Sequence, residues 1–368
     1  MKFTCEKTKL VAAVSAAGRT VAVKSSIPAL EGIHIKAGNV LYITGFNLEI
    51  GVTVQVEADI QAEGTCVMPT RLFTDIIRKL PEDTITVSVD EKFQVSIRAG
   101  QSSFTITAMD AEDYPELPDV SYTNGIRIPQ QALGELIGGT IFAVSENQAR
   151  PIHTGCLVEV EEHAISMIAV DGYRLARRTF HPESPTGRTL KFVVPGAALR
   201  EVQKLLGSDD GDAIFTLGPK HILFEIGSAT LVCRLLEGDF LDWRRVMPTN
   251  FPIQLVANIS TLAASIERVS LIVSEKFKSP VRCLFGENRA EFKTVTTIGA
   301  AQDSCPLAGN GGELEVGFNC KYLLDALRVC PGEEVTLNLR DGLSSIIFTP
   351  TRENDDFAYM VLPVRLKN

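Results

Sequence analysis

Asp171-Gly172-Tyr173-Arg174 gathers a carboxylate, a phenol and a guanidinium into four consecutive residues, and in a catalytic reading these could surround a substrate. The same residues also read as a hairpin. Asp-Gly is a strong signal for a two-residue turn between strands, and Asn47-Leu48 lies at the equivalent place earlier in the chain, which favours the turn over catalysis. The five histidines (34, 153, 163, 181 and 221) show neither H-E-x-x-H nor H-x-x-x-H metal spacing. The eight cysteines (5, 66, 156, 233, 283, 305, 320 and 330) are scattered with no C-x-x-C. That is neither a zinc site nor a disulfide framework, and it suits reduced core thiols in a cytoplasmic protein. No phosphate-cradling G-x-x-x-x-G-K-[ST] loop and no G-x-S-x-G elbow occurs. The expectation is a protein with no catalytic residues, no metal and no cofactor.

The elements around these residues repeat. An amphipathic helix is written three times: MPTRLFTDIIRKL at Met68–Leu80, VPGAALREVQKLL at Val194–Leu206 and GFNCKYLLDALRVC at Gly317–Cys330. In the first copy Leu72, Phe73, Ile76, Ile77 and Leu80 fall on one face at helical spacing. Acid–base pairs recur three residues apart at Asp75/Arg78, Glu201/Lys204 and Asp325/Arg328, a spacing also common on solvated helix faces. The interval of roughly 125 residues matches a whole domain rather than a solenoid unit. Around each copy the order is strand, helix, strands, helix, strands, with β-branched and aromatic residues in the strand segments. The reading is an α+β fold of three tandem repeats, each two helices packed on antiparallel sheet, with domains at 1–120, 126–248 and 250–368.

The chain has 368 residues, 45% of them hydrophobic and 22% charged, which is ample for full cores. The N-terminus, MKFTCEKTKL, lacks the apolar stretch of a signal peptide, and no run approaches membrane-spanning length. No membrane partner is therefore expected, and the sequon Asn258-Ile259-Ser260 carries no meaning. The net charge of −9 argues against a simple nucleic-acid binder. It is unevenly spread. Helices expected at 7–17, 70–80, 129–145, 195–206, 258–273 and 319–330 hold ten bases against five acids, or +5, which leaves −14 on the remainder. Two explanations stand at this level: a positive surface that faces phosphates, or helices that use Lys and Arg because these are good helix formers. The helix at 129–145 has no base at all. No zinc-finger, basic-zipper or RNP signature points to base readout.

The whole chain resembles the bacterial DNA sliding clamps. The resemblance rests on Met1-Lys2-Phe3-Thr4, on Ala169-Val170-Asp171-Gly172-Tyr173-Arg174-Leu175-Ala176, and on Asp239-Phe240 with Arg244-Arg245-Val246. It rests also on Glu275-Lys276-Phe277, Glu315-Val316-Gly317-Phe318-Asn319 and Leu362-Pro363-Val364-Arg365-Leu366. Leu241 stands where a Pro is common, Trp243 where a Tyr is common and Tyr173 where a His is frequent; these touch the fine shape of one pocket. The resemblance implies a non-catalytic clamp, a head-to-tail homodimer closing a six-domain ring around double-stranded DNA without sequence preference. Its implied partners are the replicative DNA polymerase, a clamp-loader ATPase and other replication and repair proteins.

By that resemblance the residues sort into three sets. DNA contacts would come from Lys24 and Arg150, both in loops where a cation is otherwise merely solvated, and from Arg71, Arg78, Lys79, Arg200, Lys204, Lys321 and Arg328 on the helices. A pocket between the second and third repeats would receive a short linear peptide with Leu or Phe anchors. Leu175, Leu241, Val246, Leu362 and Val364 would form its apolar wall and Arg174, Arg245 and Arg365 its polar rim, joined by Val170, Gly172, Tyr173 and Ser345. Pro363 would break the ladder of a final strand at Met360–Arg365. Phe104 and Ile106 would meet Leu271 and Ile272 of a second copy, covering an apolar edge strand. The alternative is a repeat-built α+β enzyme or ligand-binding protein with an inter-repeat site; three copies without a catalytic insertion favour symmetry in the service of ring closure.

Overall fold

The computed structural model describes residues 1–81, 83–120, 125–207, 211–273, 280–352 and 355–366. Seven α-helices are described: α1 (Lys7–Gly18), α2 (Thr70–Lys79), α3 (Gln130–Gly138), α4 (Gly196–Leu205), α5 (Trp243–Val246), α6 (Ile259–Ser270) and α7 (Cys320–Val329). The helical periodicity seen in the sequence is the burial pattern observed: α2 buries Phe73, Ile76 and Ile77, and α7 buries Leu323, Leu324, Ala326 and Leu327. Asn258 and Asn319 cap α6 and α7, their side-chain oxygens accepting from the amides of Thr261 and Lys321 at 3.0 Å. The asparagine of the sequon is thus a helix cap. The single helix expected over 129–145 is not formed. α3 stops at Gly138 and a 3₁₀ turn follows at Ile141–Ala143. Two consecutive glycines at 138 and 139 weaken the helix, and the Thr140 hydroxyl satisfies the Leu136 carbonyl at 2.7 Å.

The chain divides into two compact units, Met1–Leu133 with Ala197–Leu235, and Gly134–Gly196 with Leu236–Asn368. Neither matches one repeat, because strand pairing crosses the repeat boundaries and ties half of the second repeat to each neighbour. The first unit holds a five-stranded antiparallel sheet in the order Asp59–Ala62, Lys2–Glu6, Thr84–Val89, Gln94–Ala99, Ser102–Thr107. It also holds an eight-stranded sheet, in which Ala229–Arg234 of the second repeat pairs with Ile50–Val56 of the first, Leu231 opposite Val52. In the second unit a ten-stranded sheet joins the later repeats where Arg174–Phe180 pairs with Phe357–Val361, Leu175 opposite Met360.

The final strand ends at Val361 rather than running through Met360–Arg365. The Leu362 amide donates to the Tyr173 carbonyl at 2.9 Å, and the Val364 amide donates to the Gly317 carbonyl at 2.8 Å. Pro363 between them has no amide to give, so the tail leaves the sheet ladder there.

Candidate partner pocket and nucleic-acid face

The candidate pocket residues all belong to the second unit. A buried apolar cluster would form the pocket's floor: Leu157, Ile168, Val170, Leu175, Val193, Ile347, Ala358 and Met360, with Leu241, Trp243, Met247 and Phe251 packed against it. Alternation along the paired strands places Val170, Leu175 and Met360 on one face. Above this floor Tyr173, Val246, Leu362 and Val364 are exposed large side chains. Arg245 and Arg365 are exposed, and Ser345 is buried. Leu175, expected as open wall, is covered, 1% exposed, and belongs to the buried cluster instead.

The turn before Leu175 is a hairpin, one residue later than the Asp-Gly reading places it. Asp171 donates its amide to the Arg174 carbonyl at 3.3 Å, so Gly172 and Tyr173 are the central pair. Gly172 takes a φ of +94°, which favours glycine. Asp171 Oδ1 accepts from the amides of Tyr173 (2.9 Å) and Arg174 (3.0 Å), an Asx-type cap that fixes the turn.

Arg174 does not lie on a solvent-facing rim. It is 9% exposed and pairs with Asp171 at 2.9 Å and with Asp325 of α7 at 2.6 Å. Its guanidinium carbon stands 4.5 Å from the Tyr322 ring centre and 5.4 Å from that of Phe142. A cation so enclosed is tied down by its partners and fastens the Tyr173 turn to α7. Tyr173 itself stacks on Tyr322, ring centres 6.0 Å apart.

The candidate DNA-contacting cations are all exposed but differ in their engagement. Lys204 pairs with Glu201 at 2.7 Å, and Glu201 also holds Arg19 at 2.7 Å. Arg328 pairs with Glu267 at 3.1 Å and lies 3.8 Å from Asp325. Arg78 donates to Ser15 Oγ at 2.8 Å rather than to Asp75. Among the described residues Lys24, Arg71, Lys79, Arg150, Arg200 and Lys321 make no ion pair. Of the three acid–base pairs seen in the sequence, only Glu201/Lys204 closes tightly; Asp325 is drawn instead to Arg174.

Phe104 and Ile106 sit on Ser102–Thr107, the outermost strand of the five-stranded sheet, with Phe104 42% exposed. Leu271, 82% exposed, caps the C-terminus of α6, and Ile272 follows, half-buried. Glu275-Lys276-Phe277 lies outside the described residues. The cysteines are all buried. Burial pushes the thiols of Cys5, Cys66, Cys233 and Cys330 up to about 12, far from the thiolate a nucleophile needs. Among the described residues no group of His, Cys, Asp and Glu is arranged to hold a metal.

Residues 1–118, 127–242 and 244–365 match, in turn, the N-terminal, central and C-terminal domains of the DNA polymerase III beta subunit. The chain belongs to that family. It is a sliding clamp, a non-enzymatic processivity factor built on the three-domain clamp fold, and the enzyme alternative is not favoured. It is 29% identical to the beta sliding clamp of Staphylococcus epidermidis across 99% of both chains. It superposes on the DNA polymerase sliding clamp of Bacillus subtilis with a TM-score of 0.93, 29% identity and full coverage of both chains. The beta subunit of Pseudomonas aeruginosa bound to griselimycin gives a TM-score of 0.92 at 29% identity, again over both whole chains.

Of the buried cluster beneath the candidate pocket, sequence reasoning named Val170 and Leu175 and missed the rest. Met360, Ile347, Met247 and Phe251 carry no motif, and period-2 alternation on the two strands is the signal that would have found the first two. It also missed Glu159, a 7%-exposed acid within the buried strand Gly155–Glu161.

Proposed function

We propose that two copies of this chain close head to tail into a six-domain ring around duplex DNA and tether the replicative polymerase through the pocket above Leu175. The domains are taken as 1–120, 126–248 and 250–368. A clamp-loader ATPase would open the ring, other replication and repair proteins would share the pocket, and the setting would be the cytoplasm.

The ring is supported by the strand pairing. Each repeat boundary within the chain is sealed by one strand pair, and Ser102–Thr107 holds in the first repeat the place that Ala229–Arg234 and Phe357–Val361 hold in the others. Among the described residues its outer edge has no partner. An exposed edge with apolar side chains is covered by pairing with another chain, here a second copy at Leu271, Ile272 and the strand starting at Gly299. DNA contact would be diffuse, from Lys24, Arg71, Arg78, Lys79, Arg150, Arg200, Lys204, Lys321 and Arg328, since base readout would stop a clamp from sliding.

The test is topological. The protein is loaded on nicked circular DNA with a clamp loader and the circle is then cut. A ring slides off the linear product; retention after cutting would overturn the proposal.

A further inference from the structure

An acid at Glu159 is anomalous in its strand, whose first six residues are all buried. Its carboxylate is surrounded by donors. Oε2 accepts from Trp243 Nε1 at 3.2 Å and pairs with Arg244 Nη1 at 2.9 Å, and Oε1 lies 3.2 Å from Lys191 Nζ. Arg244 also stands over the Trp243 ring, 4.4 Å from its centre, and Arg177 lies 5.6 Å from it. Arg244 Nη2 reaches Glu161 at 3.4 Å.

These contacts hold α5, a helix that cannot hold itself. It has four residues, none buried, and no side-chain cap, far too short to be stable alone. Leu241 precedes it and Val246 ends it, and both belong to the candidate pocket wall. Its neighbouring ion pair, Arg245 to Asp242, is exposed and contributes little. Leu241, Trp243 and Met247 also pack on the buried cluster, but such packing is not directional; the indole N–H and guanidinium on Glu159 are the directed contacts that set how the wall stands.

We propose that Glu159 is a positioning residue of the partner pocket: through Trp243 and Arg244 it fixes the 241–246 wall against which a peptide's apolar anchors pack. This rests on the pocket reading above. An apolar residue would fill the same space without gripping the indole N–H or the guanidinium, so the acid serves geometry rather than burial.

The experiment uses the full-length protein and a synthetic peptide with Leu and Phe anchors. Trp243 is the chain's single tryptophan, so its fluorescence reports on the wall alone. Glu159→Gln keeps the shape and removes the charge. The expected result is roughly tenfold weaker peptide binding by calorimetry, greater acrylamide quenching of Trp243, and an unchanged dimer mass. Trp243→Phe, which removes the indole donor and part of the ring that packs on the cluster, should also weaken binding, and Glu159→Asp should recover part of the affinity. Wild-type affinity together with wild-type quenching in Glu159→Gln would overturn the inference. Weaker binding with unchanged quenching would overturn it too, since the wall would not have moved. If the wild-type protein fails to bind the peptide, the pocket reading falls, and the quenching comparison still decides whether Glu159 holds α5.

Discussion

The junction between the first and second repeats and the junction between the second and third share one frame and differ in their cover. In the first, Asn47 Oδ1 accepts from the amides of Glu49 (3.0 Å) and Ile50 (2.8 Å), and the Arg234 amide donates to the Glu49 carbonyl at 3.3 Å. In the second, Asp171, Tyr173, Arg174 and Leu362 make the same four-way arrangement. Gly51 then stands where the second junction has Leu175. A Cβ on Gly51 would come within 2.7 Å of the Leu117 side chain. Leu117, from the segment that leaves the first repeat, packs on Val120, Leu223 and Val232 and fills the groove. At the second junction the corresponding segment packs Leu241, Trp243 and Met247 on the buried cluster and ties Trp243 to Glu159, and Leu362 and Val364 stay exposed. The hairpin and strand pair come with the fold; the two junctions differ in how their linkers are held and in which side chains stay exposed.

The largest effect should follow from attacking the proposed peptide site at the second junction. Leu362→Glu with Arg365→Glu is expected to cost at least about 100-fold in peptide affinity, since a few anchors carry most of such an interface. The corresponding change at the first junction, Arg234→Glu, should leave affinity within about twofold. Calorimetric titration of both proteins checks the pair, and equal losses would erase the distinction between the junctions.

Uncovering the closed groove comes next. Leu117→Ala should destabilise by about 1–3 kcal/mol, less than a fully buried leucine because Leu117 is only partly covered. Denaturant unfolding measures this. Peptide stoichiometry should rise from one towards two per chain, because the cover is what closes the first frame. A stoichiometry fixed at one, with the loss of stability present, would mean that the Gly51 floor and not the cover excludes the peptide.

Much of this arrangement was legible in the sequence, for reasons that the two junctions make plain. Helix faces at 3.6-residue spacing and the Asp-Gly turn are local signals, and α2, α4, α7 and the 171–174 hairpin follow from them. The helix over 129–145 failed because Gly138-Gly139 outweighs the apolar periodicity that continues to Ile141. Arg174 was read as rim on the resemblance to sliding clamps. Its burial depends on Asp325, 151 residues away, and on two aromatic rings, which no local pattern carries. The Leu117 plug and the Glu159 anchor are likewise long-range facts.

Electrostatic contact with DNA offers a smaller contrast, between cations already engaged and cations in reserve. Lys204 shares Glu201 with Arg19 in the first unit, and Arg328 is held by Glu267 in the second. Arg200 and Lys321 have no such partner among the described residues. Arg200→Glu with Lys321→Glu removes both cations from each of the two copies in the proposed ring and should therefore reduce the salt slope of DNA retention by about 3.6, at roughly 0.9 per phosphate contact. Lys204→Glu with Arg328→Glu should reduce it less, because those charges must first leave their pairs. Equal slopes for the two double variants would show that the ion pairs do not restrain the cations.

The smallest expected effect is a difference in acid sensitivity between the two linkers, each of which leans an aromatic ring on a histidine. Tyr114 stacks on His34 with ring centres 4.7 Å apart, and Phe240 meets His153 edge-on at 5.4 Å. Burial, reinforced by Lys36, pushes His34 down from its usual value to about 4. His153 is lowered by burial and by Arg150. A histidine whose folded value is lowered is held neutral by the fold, so its contribution is fully present above the unfolded value near 6.5. As pH falls from there towards 4 the unfolded chain takes up a proton that the folded one resists, and stability is lost. His34→Phe keeps an aromatic partner for Tyr114 and removes the titration, at the expense of the 2.7 Å contact with Thr65 Oγ1. Its melting temperature should start lower at pH 7.5 yet fall less than that of the wild type by pH 4.5, and His153→Phe should flatten the same limb less. Parallel melting curves for wild type and His34→Phe across that range would show that the first linker's stack does not depend on a neutral histidine.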